Sequence, residues 1–177
     1  MGETDYEMHK RPGYADPAPY PKVNVTEQNP FYLQLIMDDY AGAVSEFTAI
    51  NQYLFHYFAT KDEYKELGLL FENVSITEML HMEILSKVII QLGGTPIYMG
   101  GPSVMCNWWS GDIVYYGCSV CDRLHADLQS EYEAISNYEK NICLIDDPNI
   151  QEVLARIILD EKVHVKLFQD AINTYCK

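Results

Sequence analysis

From residue 31 onward, apolar or small side chains return every three or four positions: Leu33, Ile36, Met37, Tyr40, Ala43, Phe47, Ile50 and Leu54. That period gathers them on one face of a helix. With no proline and one glycine, residues 31–59 are predicted to form a single helix, roughly 44 Å long at about 1.5 Å per residue. Asn29-Pro30 supplies its start: a side chain that accepts from free backbone N–H groups, then a residue with no N–H to lose. Thr60-x-x-Glu63 has the spacing of a capping box and predicts a second helix, with Leu67, Leu70, Phe71, Val74, Leu85, Val88, Ile89 and Leu92 on its apolar side. Gly93-Gly94 and Pro96 end it. The stretch "GGTPIYMGGPSVMCNWWSGD" then shows no helical period. A third helix is expected to begin between Asp112 and Ser119 and to run to about Ile145. Asp147-Pro148 repeats the cap-plus-proline start, opening a fourth helix that reaches about Tyr175.

The pattern predicts an all-α fold: two helical hairpins, joined by one crossover long enough to travel the length of a four-helix bundle. The bundle occupies residues 29–177. Residues 1–28 are rich in proline, tyrosine and charge and lack a period. They are expected to form an extended arm lying on the body or on a partner subunit.

A nine-residue segment occurs twice. "SEFTAINQY" starts at Ser45 and "SEYEAISNY" at Ser130, five letters matching in register. Each lies in the first helix of a hairpin. The second helix of each hairpin carries a Glu-x-x-His pair, Glu78/His81 and Glu161/His164. The chain therefore reads as a duplicated hairpin whose repeated polar residues are Glu, Glu and His. Measured along helical rise, Glu46, Glu78, Glu131 and Glu161 all stand roughly 21–27 Å from their hairpin turns, hence at one level. Glu and His three apart share a helix face. The neighbours of these residues are apolar: Ala43, Ala49 and Ile50 around Glu46, Leu128, Ala134 and Ile135 around Glu131, and Ile157, Ile158 and Phe168 near Glu161. A carboxylate in a buried stripe must be paired or coordinated. Two divalent cations would balance four carboxylates, and two neutral imidazoles would complete their shells. One Glu from each of two helices with Glu-x-x-His from each of the other two is the donor set of a di-iron or di-manganese site.

Composition adds limits. The chain has 177 residues and a net charge of −14, which argues against nucleic acid, since phosphate binding needs a basic face. The same charge concentrates cations. No apolar run reaches the roughly 18 residues of a membrane span, and the N-terminus has no apolar core of a secretory signal. A cytoplasmic location is expected. Five cysteines, Cys106, Cys118, Cys121, Cys143 and Cys176, do not suggest a disulfide framework. They are expected to be buried structural thiols, with a Cys118/Cys121 redox pair as the alternative.

On the stretches "EFTAINQYLFH" (46–56), "EMLH" (78–81), "ADLQSE" (126–131) and "DEKVH" (160–164), the chain resembles the ferritin-like superfamily, and bacterioferritin most closely. The resemblance covers residues 31–175. It implies a ferritin-like bundle in which Glu78 and Glu161 bridge two metals while Glu46, His81, Glu131 and His164 are terminal ligands. It also implies that Tyr53 is a near-site tyrosine able to donate an electron or a proton, the alternative being a core tyrosine. Tyr138 is its repeat mate. Asp127 is a candidate to orient His81 or His164, or a structural aspartate. Met79 falls where bacterioferritin carries its haem-ligating methionine, but one methionine on a helix is more often packing, so haem is not expected. Only 16 residues follow Glu161. The short fifth helix of cage-forming ferritins is therefore not expected, and a homodimer is expected instead of a storage shell. Rubrerythrins usually carry a further Glu where this chain has Ala134, and a rubredoxin module with two CxxC pairs. The implied chemistry is reaction of two metals, iron first and manganese second, with O2 or H2O2, as ferroxidase or peroxidase. Two alternatives stay open: peroxide disproportionation on manganese, as in manganese catalase and its spore-coat relatives, and a non-catalytic coat-associated bundle.

Overall fold

A computed structural model of the chain describes residues 5–177. Residues 1–4 of the predicted arm lie outside the described residues. The bundle has four rods. The first is made of α1 (Pro30–Ala41) and α2 (Glu46–Thr60), the second is α3 (Lys65–Gln91), the third α4 (Val120–Leu144) and the fourth α5 (Pro148–Tyr175). Among the described residues there is no β-strand, only two isolated bridges. The side chains of Asn29 and Asp147 cap α1 and α5 as the sequence predicts, each accepting from the two N–H groups past its proline. Gly93 follows α3 at φ +88°, a conformation L side chains rarely adopt.

Two expectations about the first hairpin fail. The first rod is not one helix: it breaks at residues 42–45. Asp38 and Ser103 crowd Gly42 so closely that a Cβ there would meet Asp38 O at 2.4 Å. Ser45 then restarts the helix, accepting from Thr48 N and donating to Gly42 O. In the second repeat the equivalent Ser130 sits inside α4 and donates to Ala126 O. The same letter caps a helix in one half and runs through it in the other. Nor does Thr60 cap α3. It is the last residue of α2, its carbonyl accepts from Tyr64 N, and its buried hydroxyl has no hydrogen-bond partner. A capping residue must be non-helical, and Thr60 is already committed to the helix before.

The crossover between α3 and α4 climbs the first rod step by step. Ser103 Oγ donates to Asp38 and accepts from Ala43 N. Trp109 Nε1 donates to Thr48 Oγ1, and Tyr115 N to Gln52 Oε1. This climb sets α4 antiparallel to α2, as the long connection implied.

The described part of the arm lies on the chain's own bundle. Tyr6, Tyr20 and Val23 are buried with α3 and α5 residues. Arg156 on α5 anchors it, donating from Nε to Ala18 O and from Nη2 to Asp16 O. Its guanidinium stacks 4.0 Å above the Tyr20 ring, and Nη1 lies 2.8 Å from Asp160 Oδ1, though not aligned as a hydrogen bond. The cysteines also depart from expectation. Cys121 is bonded to Cys176, tying the start of α4 to the chain end, and Cys106, Cys118 and Cys143 are exposed free thiols.

Removing Arg156 takes a counter-charge from buried Asp160 and one donor each from the Asp16 and Ala18 carbonyls. Arg156→Ala should lower the unfolding free energy by about 3 kcal/mol in urea titration and make the arm the first segment cut by trypsin, at Lys10 or Lys22.

Candidate metal centre

The bundle core falls into two apolar clusters. One surrounds Ile36, Leu85, Leu154 and Ile157, the other Leu67, Phe71, Leu124 and Phe168. Between them all four rods contribute to one polar layer: Glu46 from α2, Glu78 and His81 from α3, Glu131 from α4, Glu161 and His164 from α5. Each is at most 4% exposed. Their donor atoms form two sets, Glu46/Glu78/His81/Glu161 and Glu78/Glu131/Glu161/His164, in each of which all donors lie within 4.8 Å of one another. Glu78 and Glu161 belong to both. All six residues singled out in the sequence are thus brought together.

Both imidazoles point Nδ1 into the layer. His81 Nδ1 is 2.7 Å from Glu78 Oε2 and 3.2 Å from Glu161 Oε1, and His164 Nδ1 is 3.0 Å from Glu161 Oε2 and from Glu78 Oε1. Glu78 Oε1 nevertheless makes no aligned hydrogen bond. The two Nε2 atoms point away, to Asp160 Oδ2 at 2.9 Å and to the Tyr14 carbonyl at 2.9 Å. Asp127 therefore serves neither histidine. It pairs with His56 Nδ1 at 2.8 Å and accepts from Gln52. Met79 is exposed on the face where residues 8–11 of the arm run.

The duplication is visible as crossed contacts. Tyr53 on α2 donates to Glu131 on α4 at 2.5 Å, and Tyr138 on α4 donates to Glu46 on α2. Ten residues after Glu46 stands His56, bonded to Asp127; ten after Glu131 stands Asn141, whose amide donates to both oxygens of Asp39 at 2.8 and 2.9 Å. The halves differ in access. The His56 side is plugged by Gln52 and the Tyr115 backbone. A cavity of about 260 Å³ opens between α2 and α4; Gln52, Tyr53 and Tyr115 stand in its wall with Glu46, Glu131 and Tyr138, and it reaches Asp39 but not His56.

The layer lacks positive charge. Burial, reinforced by Glu78, pushes Glu46 far above the usual carboxylate range, and burial with Glu161 and Glu78 does the same to Glu131. Burial opposes charge on His81 and His164, yet the surrounding carboxylates outweigh it and raise both. Glu161 is lowered because its burial is overcome by the two imidazoles. Burial, then Glu131 and Glu46 respectively, keep Tyr53 and Tyr138 protonated. Four carboxylates, two inward Nδ1 atoms and an unsatisfied Glu78 oxygen fit two divalent cations of the kind that carboxylate and imidazole suit.

The ferritin-like domain matches residues 43–175. The chain belongs to the ferritin-like family. This ferritin-like chain is 28% identical over 171 residues to a probable manganese catalase of Clostridium acetobutylicum, covering 86% of this chain and 75% of that one. It is 30% identical over 125 residues to a bacterioferritin of Mycobacterium leprae, covering 68% and 72%. Among solved structures, KatB, a manganese catalase from Anabaena, superposes with a TM-score of 0.81 over 92% of this chain and 80% of that one at 24% identity. In this ferritin-like bundle no helix among the described residues is long and apolar enough to cross a membrane.

Sequence reasoning did not reach Asp160, Asp39 or the Tyr14 carbonyl. Asp160 adjoins Glu161, a position that could have flagged it. A backbone carbonyl leaves no letter to read. Asp39 yields a pH prediction. Burial pushes it up to about 8, Asn141 opposing and Asp38 adding. The folded state keeps a proton that the unfolded chain releases near pH ~4, so folding loses stability as pH rises from about 4 to about 8. Asp39→Asn removes that penalty. Its melting temperature should exceed the parent's by several degrees at pH 8 and converge with it near pH 4, read by calorimetry.

Proposed function

We propose that this chain is a dinuclear metal oxidoreductase acting on H2O2 or O2. The observation that carries this reading is the shared membership of Glu78 and Glu161 in two overlapping donor sets buried at one level of the bundle. In this reading Glu46, Glu78, His81 and Glu161 would hold one divalent metal, and Glu78, Glu131, Glu161 and His164 would hold a second. Two metals of variable valence at such a site supply the two electrons that reduce peroxide to water or dioxygen to peroxide. The apolar clusters on either side exclude bulk water. The cavity between α2 and α4 admits a small neutral solute to the Glu46 and Glu131 side of the layer. Tyr53 and Tyr138 hold protons on their hydroxyls against Glu131 and Glu46, which fixes both carboxylates and keeps a transferable proton beside each. Tyr53 is the residue we assign as proton or electron donor.

Iron is the metal this reading puts first. Manganese with peroxide disproportionation is the second reading, supported by the longer alignment with the probable manganese catalase than with the bacterioferritin. Elemental analysis after expression in medium containing both metals should find about two per chain. Oxygen release from peroxide should accompany a manganese-loaded protein, and ferrous oxidation an iron-loaded one. Glu78→Ala should no longer hold two metals; a variant that still does refutes the assignment.

A further inference from the structure

The residue before Glu161 is Asp160, and it accepts from His81 Nε2. In the duplicate, the residue before Glu78 is Thr77. Its hydroxyl lies 3.2 Å from Asn73 O and 3.4 Å from Tyr14 O, and it offers His164 no carboxylate. The acceptor for His164 Nε2 is the Tyr14 carbonyl, brought in by the arm. The arm also sets Asp160 itself: Asp16 N donates to Oδ1 at 2.6 Å and Tyr20 OH to Oδ2 at 2.5 Å. Both histidines thus have an outer partner that the arm provides or orients. The two partners differ in charge. A carboxylate behind an imidazole raises its basicity as a ligand and locks its tautomer, and losing such a partner typically costs about 10–100-fold in metal affinity. A neutral carbonyl locks the tautomer but adds no charge.

We infer that the arm is part of the metal centre and makes its two positions unequal. The position with Glu46 and His81, backed by Asp160, binds a divalent first-row metal more tightly than the position with Glu131 and His164, backed by Tyr14. Asp160 is a positioning residue here, acting through His81. The inference rests on the ligand assignment proposed above.

The test is anaerobic titration of the full chain with Co(II), followed by calorimetry and visible absorption. His164→Gln should keep the first, tighter binding step, while His81→Gln should lose it, its remaining site about 10–100-fold weaker. Asp160→Asn, which leaves all six donors in place, should weaken the first step by a similar factor and leave the second unchanged. As Co(II) is added to the parent chain, the first hyperfine-shifted imidazole N–H resonance in the proton spectrum should be one that His81→Gln abolishes. Equal first-step affinities in the two histidine variants, or the reverse order, overturn the inference while leaving the ligand assignment intact. No Co(II) uptake by the parent chain overturns the assignment itself and the inference with it.

Discussion

Four carboxylates at one height between two dry apolar clusters form the constraint from which the rest of this structure follows. An isolated buried carboxylate is too costly to keep, and four together repel. Every neighbour in the layer is accordingly a donor or a cation: two imidazoles facing inward and two phenol hydroxyls crossing from the opposite rod. Behind the imidazoles stands a further set of acceptors that fixes which nitrogen faces the layer. The bundle tolerates the charge because each member is held from outside.

The duplicated hairpin supplies a pseudo-twofold set of parts, and the unduplicated segments break it. The crossover lays Tyr115 against His56, covering the imidazole, and lends the same residue to the cavity wall. The interruption after Ala41 has Asp39, Asn141 and the cavity beside it. The arm gives one histidine a carbonyl and helps hold the carboxylate behind the other. Elements without a counterpart in the other half thus decide what differs between two chemically similar half-sites.

Much of this was legible in the letters. Asn29-Pro30, Asp147-Pro148 and Gly93 announce helix ends through backbone chemistry that depends on neighbouring residues alone. The six donors could be found because the duplication presents each twice and helical rise converts their positions to height. What stayed hidden depends on contacts distant in sequence. The break at residues 42–45 is invisible because the apolar period continues on both sides of it. Ser45 and Thr60 each suit a cap or a helix interior, and only packing decides which. The Cys121–Cys176 bond joins residues 55 apart, which spacing alone does not suggest.

That bond makes the two hairpins topologically different objects. It closes α4 and α5 into a covalent ring carrying Glu131, Glu161 and His164, whereas Glu46, Glu78 and His81 ride on an open strand. In the chain-entropy view, a ring of this size restrains the unfolded segment by about 4 kcal/mol. An oxidised chain under thermal or chemical stress therefore keeps half of its donor set within a tethered loop while the other half is free to peel away and return. In a reducing environment the two halves lose that distinction, and the order in which the layer comes apart is set by packing alone.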